Sequence, residues 1–137
     1  MARVNRRNAI LDRLSRRKVT RLDYLVAVLA IVGGVALLPA VPLGAVGVIA
    51  WLDISAVYGG WAQFLVLACL AGSLHVMLGF FAIRQGAEAM AGRLESGLGL
   101  LAEGAIAVPS AFYLLGGWLG LAGGLILVSA GLLAYLS

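Results

Sequence analysis

Two ionisable residues stand inside long apolar stretches: His75 in WAQFLVLACLAGSLHVMLGFFAI and Glu103 in GLGLLAEGAIAVPSAFYLL. An imidazole and a carboxyl group in facing helices can pass a proton or hold an ion, and ionisable groups within apolar spans are costly enough to call for an explanation. Counted from Ile83 and Gly97, where the apolar stretches end, they lie eight and six residues deep. At about 1.5 Å of rise per residue those depths are roughly 12 and 9 Å, nearly one level in antiparallel neighbours. A His75–Glu103 contact is therefore expected to be within reach. Ser73, Ser110 and Gln63 are the polar residues at hand to extend it into a relay. The simpler reading is a buried polar pair that locks helix packing.

Little else in the chain suggests chemistry. One histidine and one cysteine supply no metal-ligand cluster, and Cys69, inside an apolar stretch, reads as a small core residue. Gly-Gly pairs fall in apolar runs, not after a strand, so they are not nucleotide fingerprints, and no nucleophile stands beside a base and an orienting acid. The sequence predicts a non-enzymatic protein with no cofactor and no metal.

The elements that would carry these residues are set by composition. With 63% hydrophobic and 12% charged residues and a mean hydropathy of +1.05, the chain is far more apolar than a soluble domain, in which about a quarter of residues are charged. Windows of about 20 apolar residues, the length needed to cross a bilayer, occur at 22–40, 61–83, 97–115 and 117–136. The expected fold is all-α: a polytopic membrane protein, a four-helix transmembrane bundle over 22–137 preceded by a basic leader, 1–23. The stretch 41–60 is apolar but interrupted by Pro42 and Asp53. Of a kinked continuation, a re-entrant piece and an interfacial segment, the last is the expectation.

Four spans put the N-terminus, the 84–96 loop and the C-terminus on one side. All ten Lys and Arg residues fall there, as cytoplasmic segments prefer, while Trp51, Trp61, Trp118 and Tyr58 map to the opposite headgroup level. Both termini are thus expected to be cytoplasmic, or to face a virion interior. Along the last span, Gly116, Gly120 and Gly124 recur every four residues, with Gly123 beside them. In lipid, small residues at this spacing let helices approach closely. Ala68 and Gly72 on the second span are the expected mate, and contact between copies in a homo-oligomer or larger complex is the alternative.

The leader carries Arg6, Arg7, Arg13, Arg16, Arg17, Lys18 and Arg21. Followed by the apolar run 24–38 and a small-x-small triplet at Ala45–Gly47, it has the outline of a signal peptide, and SRRKVTR resembles the twin-arginine export signal except at Val19 and Thr20. A retained leader is the reading adopted. Val4, Leu11, Leu14 and Leu22 then form a loose apolar side for a helix lying on the cytoplasmic surface. Each basic residue near anionic headgroups is worth about 1 kcal/mol. Nucleic acid would satisfy the same charges, but the leader has no aromatic residue to stack on bases, and lipid is the simpler partner.

With its short charged central loop and its last helix GGWLGLAGGLILVSAGLL, the chain resembles small four-span membrane proteins of archaea and bacteria. In size, span number and lack of exposed domains it also resembles the small internal envelope protein of pleomorphic archaeal viruses. That resemblance implies a structural envelope role. The function expected is structural or organising, in a cellular membrane or a viral envelope. The alternatives are a small transporter or channel using His75 and Glu103, or an accessory subunit of a membrane complex.

A synthetic peptide of residues 1–23 is expected to bind anionic vesicles and to release as salt rises, because the screening length falls from about 10 Å at 0.1 M to about 3 Å at 1 M. Vesicle co-sedimentation checks this; equal binding to neutral vesicles would refute it.

Overall fold

The computed structural model describes residues 19–94, 96–113 and 117–137. The leader residues Arg6, Arg7, Arg13, Arg16, Arg17 and Lys18, and Gly116, lie outside them. The described residues form six helices and no strand: α1 (Arg21–Leu37), α2 (Ala40–Trp51), α3 (Ile54–Tyr58), α4 (Trp61–Met90), α5 (Leu98–Tyr113) and α6 (Gly117–Leu136). Of these, α4 and α6 are each long and apolar enough to cross a membrane, and α1 with α2 makes a third candidate if the bent pair is one span. Helix α5, with 16 residues, is about 24 Å long, short of a full crossing.

Local chemistry sets the boundaries. Thr20 caps α1: its hydroxyl accepts from Asp23 N–H at 3.3 Å while the Asp23 carboxylate accepts from Thr20 N–H at 2.6 Å, a reciprocal box that satisfies two free donors. Pro39 ends α1, and Pro42 sits in the first turn of α2, where a missing N–H costs nothing. The two helices meet at 41°. Residues 40–51 are therefore helical and bent away from α1, because both prolines fall where a helix starts and not within one. Asp53, which interrupts the apolar run, caps α3 by accepting from Ser55 N–H at 3.0 Å. Gly59 and Gly60 then reverse the chain at φ values of 75° and 141°, which side chains with a Cβ rarely adopt.

Glycine contacts order the bundle. The most extensive pairings are α5 with α6, α1 with α4 and α1 with α6. In the α1–α4 seam a Cβ on Gly34 would lie 2.7 Å from the Gly79 carbonyl, one on Gly79 2.7 Å from the Gly34 carbonyl, and one on Gly86 2.9 Å from the Ala27 carbonyl. Across α5–α6, a Cβ on Gly104 would meet the Gly124 carbonyl at 2.7 Å, and one on Gly131 the Leu101 nitrogen at 2.5 Å. Ala27 and Gly34, Gly79 and Gly86, Gly97 and Gly104, Gly124 and Gly131 are each seven residues apart. Seven residues are nearly two turns, so each pair lies along one helix face, and both seams run antiparallel with backbones in contact.

The described members of the four-residue glycine row of α6, Gly120 and Gly124, both pack on α5, where a Cβ on Gly120 would meet the Ala111 Cβ at 3.1 Å, while Gly123 beside them turns to α1. Gly123 packs on α1, where its Cβ would meet the Gly33 carbonyl at 3.0 Å; Gly124 packs on α5, 2.9 Å from the Val108 nitrogen; Gly120 faces Ala111 and His75. Ala68 and Gly72 do not meet α6. The nearest side chain to a Cβ on Gly72 is Val41 of α2, at 3.8 Å, and Ala68 joins the cluster of Val41, Ile54, Phe64 and Ala71. Cys69, read as a core residue, is exposed.

Replacing Gly34 or Gly104 by Ala is expected to destabilise the bundle by about 1–3 kcal/mol, since backbone atoms cannot move aside as a side chain can. Gly47→Ala, where a Cβ meets nothing within 4 Å, is expected to be neutral or slightly stabilising. Thermal unfolding of the three variants in detergent tests the ranking.

Candidate functional site

Two polar centres lie on the sides of α4 and α5. The first is His75, fully buried at 0% exposure. Its Nδ1 lies 2.9 Å from the Ala71 carbonyl one turn back. A carbonyl only accepts, so this contact assigns the ring hydrogen to Nδ1 and turns Nε2 toward α5. There Nε2 lies 3.4 Å from the Ser110 hydroxyl, which also donates to the Ala107 carbonyl at 2.9 Å. Serine has one hydrogen, so the shorter contact to its own helix competes with the imidazole.

Gly120 makes the room for this ring. A Cβ there would stand 3.3 Å from His75 Nε2 and 3.1 Å from the Ala111 Cβ. One of the four-spaced glycines thus accommodates the buried histidine, and two sequence features that look unrelated prove to be one piece of packing.

The second centre is Glu103, 8% exposed. The Gln85 side-chain amide donates to its Oε1, and its Oε2 is buried with no hydrogen-bond partner. Gln85 is held against Gly99, where a Cβ would lie 2.6 Å from the Gln85 Oε1. Gln85 also lines a polar cleft of about 520 Å³ with Arg84, Glu88, Arg93 and Ser96. Arg84 and Glu88 pair across one helical turn at 3.0 Å.

His75 and Glu103 are therefore not hydrogen-bonded to each other; each has its own partner on the facing helix. The expected contact failed on register. Depth was counted from Ile83, but α4 continues to Met90, and this moves the turn by seven residues and sets Gln85 opposite Glu103 and His75 opposite Ser110. Of the residues expected to extend a relay, Ser110 reaches His75. Ser73 donates to the Cys69 carbonyl at 2.9 Å, and Gln63 is exposed. Gln85 falls beyond the apolar window; its signal in the sequence is its place about one turn from Ala82 on the same helix face.

Trp51 and Trp118 are 87% and 86% exposed and line one apolar groove. Tyr58 and Trp61 both pack edge-on against Phe64, with ring centres 5.3 and 6.0 Å away. Arg21 begins α1 and is exposed. Among the described residues no group of three or more His, Cys, Asp or Glu side chains is placed to hold a metal. Comparison of the chain with protein-family models, curated proteins and solved structures gave no match.

Gly120→Ala is expected to cost less stability in a His75→Ala background than in the parent, with a coupling of about 0.5–3 kcal/mol for groups in contact. A double-mutant cycle of unfolding in detergent measures it, and strict additivity would show that the ring does not depend on the glycine.

Proposed function

We propose that this chain is a non-enzymatic, multi-pass membrane protein whose role is structural: a rigid four-span unit that organises a bilayer or a larger membrane assembly. The observation that carries this reading is the use of the buried His75 and Ser110 in packing. His75 is bonded to its own helix and wedged against Gly120, and Ser110 to its own helix, with no hydrogen bond among the described residues leading on to Gln85 and Glu103. Backbone-contact seams on both sides of this centre favour rigidity over a path for solute.

The four spans proposed are the α1–α2 pair, α4, α5 and α6. For the short α5, support comes from its seam with α6, which runs from Gly131 and Leu101 to Gly124 and Val108 and keeps the two at a common depth. Placing Arg21, Arg84 and Arg93 at one end and Trp51, Trp61 and Trp118 at the other supports cytoplasmic termini. The leader then holds anionic lipid on that side. A structural role in a viral envelope, as the resemblance implies, belongs to the same reading, as does self-association into a homo-oligomer or membership of a larger complex.

Reconstituted in liposomes under an imposed pH gradient, the parent, His75→Ala and Glu103→Gln proteins are expected to dissipate it no faster than empty vesicles. Flux in the parent that either substitution abolishes would replace this reading by that of a small transporter or channel. Cytoplasmic termini predict that, in a Cys69→Ser background, a cysteine at position 90 is shielded in intact cells from an impermeant thiol reagent.

A further inference from the structure

We infer that Glu103 is a loading site for a small monovalent cation, a proton or sodium, that exchanges through the Gln85 cleft. A carboxylate has room for about four hydrogen bonds, yet Glu103 receives one, from Gln85, and its Oε2 is enclosed with none. The charged groups nearby do not serve it. On α4, Arg84 is taken by Glu88; on α6 there is no charged residue between Gly117 and Leu136; and Arg93 stands exposed on the turn. A buried carboxylate with neither a counter-charge nor a full set of donors is strongly disfavoured. Among the described side chains none compensates Oε2, and a group of one positive charge and minimal size suffices.

The route is visible in the same residues. Gln85 is half-buried, with its amide bonded to Glu103 on one side while it lines the open polar cleft on the other. Rotation of one side chain connects the carboxyl group to water at the arginine end. Among the described residues no hydrogen bond joins Glu103 to His75, so the site loads and unloads from the cleft side, and a structural bundle can hold it without conducting.

The test is labelling of the purified full-length protein in detergent with dicyclohexylcarbodiimide, an apolar reagent for buried carboxylic acids. The acid proton moves to a carbodiimide nitrogen, the carboxyl oxygen adds to the central carbon, and acyl migration from oxygen to nitrogen leaves a stable N-acylurea with nothing expelled. Peptide mapping is expected to place the adduct on Glu103 in preference to Glu88, with loss of that adduct in Glu103→Gln. Labelling that sodium suppresses relative to choline identifies sodium as the cation; labelling indifferent to sodium identifies the proton. Absence of the Glu103 adduct in both salts, while exposed carboxyl groups react, overturns the proposal. Because the readout is on the parent protein, it does not depend on a variant's folding.

Discussion

Contact between helix backbones at glycine is the constraint on which this bundle depends. A lipid environment offers no hydrophobic gain for bringing apolar helices together, so close packing must supply the association. Here the approach is close enough that any Cβ at Gly34, Gly79, Gly104 or Gly131 would fall within 2.7 Å of a backbone atom across the seam. These contacts fix antiparallel register, and register decides which polar groups meet. Moving α4 by one residue along α1 and α5 would take Gln85 from Glu103 and His75 from Ser110 together.

The two polar centres follow from that register and differ in kind. His75 is closed in by its own helix, Ser110 and the glycine opposite, with Nδ1 bonded to the Ala71 carbonyl and Nε2 at 3.4 Å from the Ser110 hydroxyl. Glu103 is bonded through Oε1 alone, and its remaining oxygen faces no donor. One centre is enclosed between helices, while the other sits beside Gln85 at the inner edge of a polar cleft.

Much of the helical architecture was legible because apolar runs and their interruptions are strong signals. The places of α1, α4, α5 and α6 follow the four apolar windows, with α4 extending past its window because Arg84 to Met90 keep helical propensity after apolarity ends. Pairing was less legible. The four-residue row Gly116, Gly120, Gly124 is conspicuous within one helix, whereas the seven-residue pairs become meaningful only when compared between helices. Asp53 and the prolines were read as breaks in the membrane run; they are caps and starts, a distinction set by hydrogen-bond position that composition does not carry. His75 and Glu103 were recognisable as buried polar residues, but their partners depended on where α4 ended.

The joint between α1 and α2 has a mechanical consequence. Pro39 and Pro42 lack amide hydrogens, so the hydrogen-bond ladder is already interrupted there, with Leu38 N–H bonding the Val35 carbonyl at 3.3 Å and the next turn resuming at Leu43 to Pro39, 3.1 Å. Opening or closing the 41° angle breaks few further bonds. Helix α4 has no such gap in 30 residues and bends only as a whole. A bilayer that thickens or thins around the chain imposes a mismatch costing fractions of a kcal/mol per Å. Of the two elements, the articulated pair is the more compliant, because bending it breaks fewer backbone hydrogen bonds than bending α4.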